Sequence, residues 1–248
     1  WLAGFMVLIA VLTCSNNVAC AWSGSGTEAA PYLISSAADL QYLASEVSMG
    51  RLGNAYFRQT GNIVFPSTET YTAIGISSKP FSGTYDGGGF TISGININKP
   101  SDKYQGLFGC IGANGTVKYV NLHNSIIQGD QYVGGIAGDN TGRIQNCSSI
   151  ANQITATIYV GGIAGRINSS SVVESSYSSS QVNGGAKAGG VVGYINYGLV
   201  RQCWSTGNVI ASGDHAGGIC GYNSYGTIND CYNTGCINGG GAYNGGIT

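Results

Sequence analysis

One glycine-rich phrase recurs five times in the second half of this 248-residue chain. It reads YQGLFG at 104–109, YVGGIAG at 132–138 and again at 159–165, KAGGVVG at 187–193 and HAGGICG at 215–221. A sixth, AYNGGIT, starts at 242 and is read as a copy truncated by the end of the chain. Aligned on Gly106, Gly135, Gly162, Gly190, Gly218 and Gly246, the copies step by 29, 27, 28, 28 and 28 residues. A period of this size belongs to repeat architectures in which each unit covers the next. Within a unit, short apolar pulses alternate with turns, as at Gly190–Gly193, Gly198–Val200 and Asn208–Ile210. Three such pulses predict an all-β fold: a right-handed parallel β-helix, or β-solenoid, with three faces and coils ~4.8 Å apart. The paired glycines suit tight corners. Asn140, Asn168, Asn196 and Asn223 each follow the first strand of a unit and predict a corner of stacked asparagines.

The rest of the chain divides into three parts. Leu2–Leu12 is an apolar run too short to span a bilayer, which takes about 20 residues. Ala19-Cys20-Ala21 follows it, so residues 1–21 are read as a secretory signal peptide cleaved after Ala21. Residues 22–103 form an N-terminal cap and the first β-rich coils. Ser36 before Ala37-Ala38-Asp39 resembles a capping box, Leu40, Leu43 and Val47 share one helical face, and Gly50 suits the position after a helix. A helix over 36–49 is predicted, placed to cover strand edges at the open end of the stack. Ala55–Gln59, Asn62–Phe65 and Phe81–Ile95 read as short strands, the last split by a glycine turn. Residues 104–248 are the repeat array.

Charge excludes several functions. The ten basic and eleven acidic residues leave a net charge of −1, with no basic patch for nucleic acid and no polybasic run for an anionic membrane. No CxxC pair occurs, and His123 and His215 stand far apart, so zinc-site spacing is absent and no metal or cofactor is expected. There is no HExxH. The carboxylates are scattered: no pair reads as a glycosidase acid and base, and no cluster of acids with basic residues stands out.

The repeat spelling resembles the GLUG-motif repeats of bacterial surface proteins, Gly106-Leu107-Phe108-Gly109 being close to that motif's own lettering. The stretch before it resembles the usual leader to such arrays, at Pro31-Tyr32-Leu33-Ile34, Ala38-Asp39-Leu40, Ala73–Ile76 and Phe81–Gly87. Together these cover nearly all of 22–248. The resemblance implies an extracellular or cell-surface β-helical module, of a kind found in large adhesin-like proteins and in the non-catalytic regions of immunoglobulin-A-specific metallopeptidases. It implies no catalytic residues, and it does not account for the cysteines here.

Two columns stand out on the second strand of each unit. Alignment places Cys147, Ser176, Cys203 and Cys231 in one column and Ser148, Tyr177, Trp204 and Tyr232 in the next. Neighbouring residues of a strand face opposite ways. With the cysteines inward, Tyr177, Trp204 and Tyr232 form an outward ladder that could contact a glycan or could simply stack to stiffen the solenoid. Tyr194, Tyr197, Tyr222 and Tyr225 add phenols on a neighbouring corner. Cys203 and Cys231, one coil apart, fall within disulfide reach, although free buried cysteines are ordinary apolar fillers. Cys220 takes the place of Ala164 and Val192 in its column, and nothing orients His215 towards it. The leading functional expectation is a non-enzymatic extracellular module for cell-surface adhesion or glycan contact. The alternatives are a structural stalk or a self-associating fibre subunit, and a polysaccharide-degrading β-helix enzyme.

Overall fold

The computed structural model describes residues 22–66 and 69–247; the signal-peptide reading of 1–21 lies outside them. Over the described residues the chain is an all-β parallel solenoid with one short helix, which precedes most of the strands. Each full coil carries five short strands. In the coil that starts at Tyr132 they are Val133–Gly134, Ala137–Asn140, Arg143–Gln145, Ser148–Ile150 and Gln153–Ala156. Equivalent strands of successive coils pair to give five ladders, called sheets 1 to 5 in that order, with 5, 5, 8, 7 and 6 strands. Every ladder pairing is parallel. The three predicted faces are therefore five. Two-residue strands flanked by glycines leave no apolar pulse, so sheet 1 merges with sheet 2 in the sequence.

Register explains the core. Ile127, Ile154, Val182 and Val209 stack along sheet 5, and Tyr85, Val117, Ile144, Val173 and Val200 along sheet 3, all buried. Each buried branched side chain contributes ~1.5–3 kcal/mol over exposure. β-Branched residues suit such columns because their stiff χ1 fits the pleat.

The second motif glycine has a specific task. A Cβ on Gly135, Gly162 or Gly190 would run into an inward serine of sheet 4 (Ser149, Ser178 and Ser205 respectively) and into a carbonyl of the next coil. For Gly162 the Ser178 Cβ would lie 2.6 Å away, far inside van der Waals contact. The glycine and the buried serine are thus one packing unit.

The helix, α1 (Ala37–Ser48), begins where expected. The Ser36 Oγ accepts from the Asp39 N–H at 3.2 Å, and Asp39 Oδ2 accepts from the Ser36 N–H at 2.9 Å. Leu40, Leu43, Ala44 and Val47 are buried against the first coils. Gly50, with φ +79°, follows its end. The Trp22 indole N–H donates to Asp39 Oδ1 at 3.1 Å, tying the segment before the first coil to the helix start. A chain of rings then runs inward: Trp22 to Phe57 at 5.5 Å, Phe57 to Phe81 at 6.0 Å, Phe81 to Phe108 at 5.1 Å and Phe108 to Tyr85 at 5.6 Å. Phe108 belongs to the first motif copy, so this relay welds the cap to the array.

The asparagine corner differs from expectation. Asn140 pairs with Ile167, Ile167 with Ile195 and Ile195 with Asn223. Asn168 and Asn196 fall outside that column, because the turn between sheets 2 and 3 varies in length from coil to coil. Asn140 and Asn223 each serve their own turn, accepting from the Gly142 N–H at 3.0 Å and the Gly226 N–H at 2.8 Å.

Candidate functional site

The register brings Ser148, Tyr177, Trp204 and Tyr232 into one outward column of sheet 4. The Tyr177 and Trp204 rings stack at 4.9 Å with planes 2° apart, and Trp204 and Tyr232 at 6.1 Å and 4°. Tyr232 is 54% exposed, and the other two are half-buried. Parallel stacking covers most ring faces, so the column offers its edges. Neither the two phenol hydroxyls nor the Trp204 indole N–H has a protein partner among the described residues, and these tips are the groups open to a ligand. Tyr177 and Tyr232 are the terminal rings of the column, each stacked on Trp204 by one face.

Directly behind lies the cysteine column, and it does more than fill space. The Cys147 and Cys203 thiols donate to the carbonyls two residues back, Gln145 O and Arg201 O, each at 3.2 Å, as Ser176 Oγ does to Glu174 O at 2.8 Å. Ser176 Oγ and Cys231 Sγ also accept from the N–H of the preceding coil: Cys147 N–H to Ser176 Oγ at 3.1 Å, Cys203 N–H to Cys231 Sγ at 3.4 Å. The residue just before, Asn146, Ser175, Gln202 or Asp230, is left-handed with φ between 50° and 54°. Cysteine and serine are therefore interchangeable here as corner hydrogen-bonding groups. Cys203 and Cys231 are free thiols in contact. The hydrogen bond from Cys203 lowers the Cys231 thiol and raises its own, with burial adding to the rise at Cys203. Cys220 is fully buried, and burial pushes its thiol up to about 12, as suits an apolar filler.

A second ladder stands where the chain enters sheet 1 from sheet 5, with rings of sheet 2 beside it. The residue entering sheet 1 in each coil forms the column Tyr104, Tyr132, Tyr159, Lys187, His215 and Tyr243. Tyr104 stacks on Tyr132 at 5.2 Å and Tyr132 on Tyr159 at 4.9 Å, within 9° of parallel. Where Lys187 interrupts, Tyr194 of sheet 2 supplies the next ring at 5.1 Å, and the lysine ammonium lies 4.3 Å from the Tyr222 centroid. Arg166 covers Tyr132 at 4.1 Å while its guanidinium forks onto Asp139 at 2.8 and 2.9 Å. Tyr104, Tyr132 and Tyr159 adopt φ of 61°, 60° and 30°, a strained choice for a bulky residue. The sequence hides this column because Lys187 and His215 break the tyrosine pattern. Tyr197 and Tyr225 form a third stack at 5.1 Å.

One carboxylate gathers basic partners across successive coils. On the outer face of sheet 3, Glu174 is bound by Arg143 at 2.9 Å, by Arg201 and by Gln145. Burial works against its charge, but these three donors outweigh that and hold the carboxyl below the usual range. Stabilisation from a lowered carboxyl is present above its unfolded pKa, about 4.3, and is lost as pH falls through the folded value. Glu174→Gln is expected to cost about 1 kcal/mol at neutral pH, because both guanidiniums are near half exposed. In urea titrations that gap from the parent should close as pH drops below the glutamate range. A gap constant with pH would assign the effect to packing.

No family model matches the chain. Two curated relatives do. Halomucin of Haloquadratum walsbyi is 30% identical over 155 residues, 59% of this chain and 2% of that protein. A "Putative Gly-rich membrane protein" of Evansella cellulosilytica is 33% identical over 133 residues, 50% of this chain and 15% of that protein. The chain thus spans a small fraction of the relatives it matches. Among solved structures, the crystal structure of "a putative immunoglobulin A1 protease from Bacteroides ovatus" superimposes with a TM-score of 0.64 over 90% of this chain and 85% of that one, at 19% identity. That likeness is one of fold. Among the described residues, no helix is long and apolar enough to cross a membrane.

Proposed function

We propose that this chain is a non-enzymatic, extracellular β-solenoid module of GLUG-type repeats that contacts glycans at the cell surface through the Tyr177–Trp204–Tyr232 column. The observation that carries the reading is the row of unpaired phenol and indole tips held at fixed spacing by stacking on a rigid sheet. Such a row matches hydroxyl-rich polymers by hydrogen bonding along the ring edges. The surface location is supported by the relatives, one named as a mucin and the other as a membrane protein. The non-enzymatic reading is supported by Glu174: it is the one carboxylate of its cluster and it is saturated by donors, whereas sugar hydrolysis uses two carboxyl groups. The test is a glycan array with the parent chain and with Trp204→Ala and Tyr232→Ala. Both variants are expected to lose at least about tenfold in affinity, the share of an interface anchor. Undiminished binding by both would remove this site, and release of cleaved products from the array would replace the module with an enzyme.

A second reading, a structural stalk or fibre, is supported by the same stacking, because the ring faces are spent inside the ladder. Filaments seen by electron microscopy of the purified chain, with no glycan bound, would put it first.

A further inference from the structure

Away from sheet 4, a cleft of about 620 Å³ opens between residues 72–78 and 99–105, where the first coils meet the array. Its size is that of a small-ligand site. One wall is Tyr104, the terminal ring of the second ladder: one face lies on Tyr132 and, among the described residues, no ring covers the other. Gln105 stands next to it and is 6% exposed. Its amide N–H donates to Lys103 O at 2.8 Å, but its buried Oε1 has no partner among the described residues. A buried carbonyl oxygen without a donor is costly, and this one is a local strain on the cleft wall. Lys99 and Lys103 line the same cleft, and neither ammonium is in an ion pair among the described residues. Asp102 lies between them in the chain, and Ser77 lines the cleft on the other segment. Asp102 opposes a bare anion but accepts from hydroxyls, so the lining selects a molecule bearing both.

We infer that this cleft binds a sugar residue carrying an anionic group. The sugar's C–H face would lie on Tyr104, hydroxyls would donate to Asp102, and the anion would sit against Lys99 and Lys103. The site does not rest on the sheet 4 column. A carboxylated sugar and a sulfated sugar present the same chemistry here.

Calorimetric titration of the purified chain with tetragalacturonate, a sulfated galactotetraose and neutral galactotetraose tests it. At least one acidic oligomer is expected to bind about tenfold or more tighter than the neutral one, and rising salt should weaken that binding. Carboxylate binding alone assigns a uronic acid; sulfate binding alone assigns a sulfated sugar. Lys103→Glu changes an exposed side chain, so its circular dichroism should match the parent while acidic affinity drops about tenfold or more. Tyr104→Ala should weaken the same ligands. Trp204→Ala should leave them unchanged, which separates this site from the sheet 4 column. Equal binding of acidic and neutral oligomers, no binding of either acid, or indifference to Lys103→Glu would overturn it.

Discussion

Phe108→Ala should lower stability by about 3–5 kcal/mol, the largest loss expected from any single truncation here. The ring is fully buried and touches Phe81 and Tyr85, so its removal opens a cavity at the seam between the capped first coils and the array. The surrounding strands are fixed by parallel pairing above and below and cannot collapse into the gap. Because a solenoid's stability is a sum over neighbouring units, the lesion should also loosen the coupling between the two parts. Urea unfolding followed by circular dichroism should show a lower midpoint, and a second transition if the seam parts first. A loss below about 1 kcal/mol would mean that the cap and array are joined by something other than the ring relay.

Gly162→Ala should be nearly as harmful although it adds a single methyl. The new carbon would meet both Ser178 and the Gly190 carbonyl oxygen, one on the facing sheet and one on the next coil, and neither can retreat. Overpacking of this kind costs 1–3 kcal/mol, and a backbone collision places it near 3. The melting temperature should fall by roughly 6–12 °C for a chain of this length. Gly61→Ala is the control, since no atom lies within 4 Å of a Cβ there and its φ is not left-handed. A Gly162→Ala chain as stable as Gly61→Ala would show that the motif glycine is retained for some other reason.

The period of the motif carries the columns: Cys147 through Cys231 and Ser148 through Tyr232 align in the structure as they do in the sequence. The helix is equally legible, because Ser36, Asp39 and Gly50 mark its ends through local hydrogen bonding and φ alone. What the period does not carry is the number of sheets, since Val133-Gly134 and Val160-Gly161 are strands too short to make a pulse. The asparagine column fails for a related reason. Two residues join sheet 2 to sheet 3 after Asn140, but four do so after Ile167, so counting places Asn168 in a turn. The Arg143–Glu174–Arg201 cluster and the cleft beside Tyr104 are assembled from residues on different coils or on segments outside the motif. No spacing within one unit reveals either. The outward aromatic column was visible, but not that its rings would use their faces on one another.

Every ladder in this molecule repeats with the motif, and that fixes how its length can change. Deleting or duplicating one whole unit returns each side chain to a neighbour of the same kind, whereas losing half a unit would set sheet 4 serines opposite the wrong corner. Axial reach is therefore quantised, in increments of ~4.8 Å per unit. Unequal recombination between copies would lengthen or shorten such a protein by whole increments, changing its axial length without redesigning any face.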